Sequence, residues 1–174
     1  CHVLGGDVII HNDYIFVGVY LGDDYSSFIT ARTNIQAVEA LRSLFPNKKV
    51  KALELKKSNT NPLEGALHLD CCFQPLGRGK ALLHREGFTN QEDFIFLEKL
   101  FGKEHIYLTT KQEMANMNCN VFSISNDVVI SEAGFTRLNK WLELHKFKVE
   151  KVSYSEISKQ GGLLRCSTLP LIRL

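Results

Sequence analysis

The sequence predicts an α/β protein built from a repeated unit of two antiparallel strands, a helix and a further strand. Three observations carry that prediction. Strand-like apolar runs come in pairs joined by turn residues; each pair is followed by apolar residues at helical spacing; and the order recurs near residues 7, 67 and 120, a period of roughly 50 to 60 residues. Such a unit cannot bury both faces of its sheet alone and needs neighbours.

The first unit opens with a hairpin over residues 7–19 that turns at Asn12-Asp13, residue types that favour tight turns. Thr33 stands as a helix N-cap ahead of Ile35, Val38, Leu41, Leu44 and Phe45, which recur at helical spacing. Pro46-Asn47 ends the helix and residues 50–55 read as its return strand. The second hairpin runs from Leu67 to about Leu83 and turns at Gly77-Arg78-Gly79. Thr89 is positioned to cap a helix whose Phe94, Leu97, Leu100 and Phe101 share a face, Gly102 stops it, and residues 106–108 form the strand. The third hairpin spans residues 120–131 with a second Asn-Asp turn. Phe135, Leu138, Trp141 and Leu142 mark its helix, and residues 149–154 its strand. Two long loops, 22–31 and 56–66, stand out against otherwise short connections.

The chain has 174 residues, 44% of them hydrophobic and 23% charged, which suits a globular protein treated as one domain over 1–174. A formal net charge of +2 leaves no electrostatic footprint for nucleic acid, and no apolar run approaches the roughly 18 residues of a membrane span. Five cysteines, an odd number without paired spacing, argue against a disulfide scaffold and for a reduced, cytoplasmic setting. The chain opens at Cys1 with no initiating Met and runs straight into Gly5-Gly6-Asp7, so it is expected to be a piece of a longer protein.

Two segments hold candidate chemistry. If residues 67–72 form a strand, His68, Asp70 and Cys72 share one face and Leu67, Leu69 and Cys71 the other. Burying an imidazole and a carboxylate there costs free energy unless both are hydrogen-bonded, so the pair is either a functional patch, a structural couple or a solvated edge. In the second segment, Gly161-Gly162 permits close backbone approach and precedes Cys166 in a strand-like run, with Arg165 beside it as a cation able to favour thiolate. A cysteine and a distant histidine are the pattern of nucleophilic catalysis, but Cys166 equally fits a small buried hydrophobe, and spacing leaves both open. No Cys or His pair has metal-ligand spacing, and Leu76-Gly-Arg-Gly-Lys80 is a hairpin turn without the spacing of a phosphate loop. His11, His84, His105 and His145 are expected at solvated turns and element ends.

Taken in order, Gly5-Gly6-Asp7-Val8, Phe16-Val17-Gly18, Arg32-Thr33-Asn34, Leu67-His68-Leu69-Asp70, Asn120-Val121 and Gly162-Leu163-Leu164-Arg165-Cys166-Ser167 resemble the guanidine-modifying enzymes of the pentein superfamily. Its members include dimethylarginine dimethylaminohydrolase, arginine deiminase and glycine amidinotransferase. The resemblance implies a five-module α/β-propeller, of which about three ββαβ modules are visible here. An N-terminal half is therefore expected elsewhere, or else assembly as a homo-oligomer. It implies an amidinohydrolase acting on arginine or an arginine-like guanidino substrate, with no cofactor. In that reading Cys166 attacks the guanidinium carbon, His68 works as acid and base, Asp70 holds the guanidinium and Arg32 pairs with the substrate carboxylate. An amidinotransferase using the same first half-reaction, or an impaired pentein that only binds, are the alternatives. The family places a carboxylate immediately before its Gly-Gly-Asp run to orient and charge the histidine, whereas Leu4 stands there in this chain.

Overall fold

The computed structural model describes residues 1–169. Three small sheets form, each of three strands. The first is β1 (Val8–His11), β2 (Tyr14–Val19) and β3 (Lys49–Glu54), with α1 (Ile35–Leu44) crossing from β2 to β3. The second is β4 (Phe73–Pro75), β5 (Ala81–Leu83) and β6 (Ile106–Leu108), with α2 (Gln91–Phe101) before its last strand. A short α3 (Lys111–Ala115) follows, then β7 (Phe122–Ser123), β8 (Val128–Glu132), α4 (Thr136–Leu144), β9 (Lys148–Val152) and α5 (Ser155–Ser158). In every sheet the first two strands pair antiparallel and the third adds parallel to the second, so the ββαβ order is realised three times. The parallel addition is what requires a helical crossover between the last two strands.

Strand alternation decides which core each side chain joins. On β2, Phe16 faces the second module, while Ile15, Val17 and Val19 face Val38 of α1. Phe16 and Phe73 meet edge-on with ring centroids 5.4 Å apart. On β5, Ala81 and Leu83 join the core shared with the first module, and Leu82 joins Val129, Leu138 and Leu142 of the third. The central sheet is therefore buried on both faces by its neighbours. Among the described residues no helix is long and apolar enough to cross a membrane.

The expected helices stand where periodicity puts them, but both threonine caps are displaced. Asn34 occupies the N-cap of α1 without a side-chain bond to the helix, its Oδ1 accepting from the His2 amide instead, and Asn90, not Thr89, caps α2 by accepting from the Glu92 amide at 2.9 Å. The second hairpin also starts later than expected. Residues 67–72 are not a strand: Leu69–Cys71 form a 3-10 turn with His68 at its N-cap position, and β4 begins only at Phe73. The expected common face for His68, Asp70 and Cys72 is lost with the strand, and the Cys72 thiol donates instead to the Leu69 carbonyl within the apolar core. His84 departs from the solvated expectation, being buried with Nδ1 against the carbonyl and hydroxyl of Thr109.

Candidate active site

Asp7 organises one side of the site. It is 1% exposed, accepts from the Thr33 hydroxyl at 2.7 Å through Oδ2, and from the Leu69 amide at 3.0 Å through Oδ1. Thr33 accepts in turn from the Leu4 amide, which explains why it does not cap α1. The amide that Asp7 binds belongs to the residue after His68, so the segment entering α1 and the segment entering β4 are joined through one carboxylate. Glycine at position 6 is required here: a Cβ would lie 2.9 Å from Nδ1 of the His68 ring and 3.1 Å from its Cβ and Cγ.

His68 is buried, and its Nε2 has no hydrogen-bond partner among the described residues. Burial, then the positive charges of Lys57 and Arg32, lower its pKa to about 4, leaving a neutral imidazole at neutral pH. Asp70, two residues on and 2% exposed, is pushed the other way. Burial raises its carboxyl to about 6, against the pull of the Cys166 thiol and of Arg165.

Cys166 meets Asp70 across 96 residues of sequence. It lies in a turn rather than the expected strand, and its thiol donates to Asp70 Oδ2 at 3.5 Å. Asn120 fixes the cysteine from the opposite side. Fully buried, it accepts from the amides of Leu163 and Cys166 through Oδ1, both at 3.1 Å, and donates through Nδ2 to Cys166 Sγ at 3.2 Å and to the Asp70 carbonyl at 3.4 Å. Gly162 lets this turn close, since a Cβ there would come within 2.9 Å of the Cys166 Cβ. A second thiol, that of Cys71, donates to the other oxygen of Asp70 at 3.6 Å.

The expected effect of Arg165 on Cys166 is not found. Arg165 acts on Asp70 and donates to the Thr168 carbonyl. Partial burial and the negative charge of Asp70 instead push the Cys166 thiol up, so the sulfur rests protonated. Arg32 is exposed, its Nε donating to the Ile29 carbonyl at 3.2 Å. Its charge reaches His68, Lys57 and Asp7, but it makes no hydrogen bond to them. The geometry thus joins Cys166 directly to Asp70 and ties His68 to Asp70 through the 3-10 turn. Among the described residues, no group of three His, Cys, Asp or Glu side chains is placed to hold a metal ion.

Asn120 went unassigned as a site residue in the sequence because its role is tertiary: all its side-chain partners lie at least 43 positions away. Lys57 carries no sequence signal either, since a Lys-Lys pair opening a long loop reads as solvated, yet it is 8% exposed.

Three repeated ββαβ sheets carrying a Cys, His and Asp constellation define a member of the pentein superfamily. More narrowly, the family model for N,N dimethylarginine dimethylhydrolase, eukaryotic, matches residues 23–173, and the chain belongs to that family. An uncharacterized Bacillus subtilis protein is 30% identical over 169 residues, covering 97% of this chain and 52% of that protein. An arginine deiminase of Bacillus cytotoxicus is 24% identical over 206 residues, covering 97% of this chain and 47% of its own length. The fold is shared with the product-bound N-terminal domain of an arginine dihydrolase from the ornithine–ammonia cycle in cyanobacteria, at TM-score 0.76 and 22% identity over 97% of this chain and 55% of that one. It is shared also with DDAH from Pseudomonas aeruginosa complexed with citrulline, at TM-score 0.67 and 21% identity over 91% and 51%. The chain spans about half the length of the curated relatives it matches most fully. Those with named activities are guanidine-modifying hydrolases.

Proposed function

We propose that the protein is an amidinohydrolase that cleaves the guanidinium of arginine or an arginine-like substrate through a covalent Cys166 intermediate, within the five-module propeller of its superfamily. The observation that carries this reading is the 3.5 Å contact between Cys166 Sγ and Asp70 Oδ2. A guanidinium donating hydrogen bonds to Asp70 is thereby held beside that sulfur, and attack requires its central carbon to come to about 3–3.5 Å from it.

The resting state is not a thiolate, because Asp70 opposes a second negative charge beside it. A bound guanidinium neutralises Asp70 and makes ionisation of the thiol easier. The proton from Sγ passes to His68, which is neutral and carries an unpartnered Nε2. Sγ bonds to the guanidinium carbon. The tetrahedral species collapses with cleavage of one carbon–nitrogen bond, and His68 returns the proton to the departing ammonia or amine. This leaves a thiouronium that still carries the amino-acid part of the substrate. Water, deprotonated by His68, adds to the same carbon; cleavage of the carbon–sulfur bond releases a ureido product and restores the thiol. Arg32, close enough for its charge to reach His68, pairs with the substrate carboxylate.

Acid-quenched mass spectrometry of the protein mixed with arginine or dimethylarginine tests this. The expected adduct on Cys166 is the substrate minus ammonia or dimethylamine, absent in Cys166→Ser. An adduct of the amidino group alone indicates transfer chemistry and overturns the hydrolase reading. A binding role has one specific observation behind it, the apolar Leu4 where a carboxylate would charge the histidine. Saturable substrate binding with no adduct and no product establishes that role instead.

A further inference from the structure

Lys57 opens the long loop that leads from β3 to His68. Despite that position its ammonium is buried, donating to the Ala66 carbonyl at 3.1 Å and the Leu67 carbonyl at 2.8 Å. The Leu67 carbonyl belongs to the peptide bond that enters His68. Asp7 binds the amide of the peptide bond that leaves it. Both peptide groups of the histidine are therefore held by buried, oppositely charged side chains, from two different segments of chain.

A buried ammonium is costly unless it is hydrogen-bonded and its charge is balanced. Burial draws the Lys57 pKa down, while the Asp7 carboxylate favours its charged form and Arg32 opposes it. A loop that only needed closing could use neutral donors. The cation has a second effect at this place: Lys57 and Arg32 are the charged groups acting on the His68 ring, both positive, and the carboxylates nearby, Asp7 and Asp70, are engaged with other partners.

We propose that Lys57 is a positioning residue for His68, gripping the peptide before it in concert with Asp7 and placing an ammonium beside a buried imidazole that has to accept a proton. This deepens the reading of His68 as the acid–base group and rests on it for its catalytic meaning. It also fits Leu4, since a histidine set to be neutral has no need of the carboxylate that would stabilise its cation.

The test is the titration of the His68 ring, followed by NMR in the wild-type protein, in Lys57→Met and in Lys57→Gln. Glutamine keeps a donor for the carbonyls and removes the charge, so it carries the test if the methionine variant does not fold. The expected result is a rise of more than about half a pH unit in the His68 midpoint in either neutral variant, with burial, and after it Arg32, holding the remainder of the depression. Turnover is expected to show kcat reduced about tenfold or more with KM little changed, and its acid limb moved in the same direction as the ring titration. A His68 midpoint within about half a pH unit of wild type in a folded neutral variant overturns the proposal, whatever the turnover. A shifted midpoint in a protein that never turns over a guanidino compound upholds the role of Lys57 in setting His68 and overturns the amidinohydrolase reading.

Discussion

Asp70→Asn isolates the charge at the centre of the site with little change of shape. In the folded chain Asp70 holds its proton to about 6, against an ordinary value of 3.8. Between those limits the folded state binds more protons than the unfolded one, so Asp70 removes stability as pH rises. His68 does the reverse. Its folded value of about 4 lies below the ordinary 6.5, the unfolded state binds more protons in between, and stability rises with pH across that window. At about 1.4 kcal/mol per pH unit, each effect is on the order of 3 kcal/mol, and in the wild type the two largely cancel between pH 4 and 6. The asparagine variant keeps only the histidine. Its stability relative to wild type, from urea unfolding at pH 4, 5, 6 and 7, is expected to climb by about 3 kcal/mol and level off above pH 6. Taking the difference cancels other titrating groups such as His84. A flat difference, or one that falls with pH, refutes the assignment of a desolvated, proton-retaining carboxyl at this position. The same variant removes the charge that holds up the Cys166 thiol, so alkylation of that cysteine begins at lower pH than in wild type.

Asn120→Ala leaves two amides, the buried one of Leu163 and the part-buried one of Cys166, without their shared acceptor. Chemical denaturation is expected to show a loss of about 2–4 kcal/mol, accompanied by faster alkylation of a cysteine freed from its turn. Gly6→Ala drives a methyl group into the His68 ring, whose own backbone is clamped and cannot retreat. A loss of about 1–3 kcal/mol in thermal or urea unfolding is expected, with turnover falling by more than the stability change explains.

The ββαβ order was legible because its signals are local and repeated. Paired apolar runs, Asn-Asp or glycine turns and apolar stripes at helical spacing all lie within a few residues of one another. The misread elements are those where a distant partner overrides a local rule. Thr33 has the chemistry of an N-cap, but Asp7, 26 positions earlier, claims its hydroxyl. Residues 67–72 alternate apolar and polar like a strand, yet Asp7 takes the Leu69 amide from 62 positions away and the segment curls into a 3-10 turn. The expectation for Cys166, His68, Asp70 and Arg32 comes from motifs in a familiar order rather than from spacing. Asn120 and Lys57, which set the cysteine and the histidine backbone, left no mark that sequence periodicity could register. Apart from the Cys166 sulfur that Asn120 binds, their hydrogen-bond partners are main-chain groups, which every residue carries and no composition reveals.

Apart from Leu108 at the end of β6, the sheet formed by β4, β5 and β6 has no face of its own to give to water. Leu82 and Leu83, adjacent in the chain, answer to different neighbours, so loosening either outer module strips cover from the middle one. Opening is therefore collective: the two flanks communicate through a slab three residues wide per strand, and the loop bearing His68 enters that slab directly. Any event at the third module that loosens Leu82 is felt, one residue along, by the core that seats the imidazole.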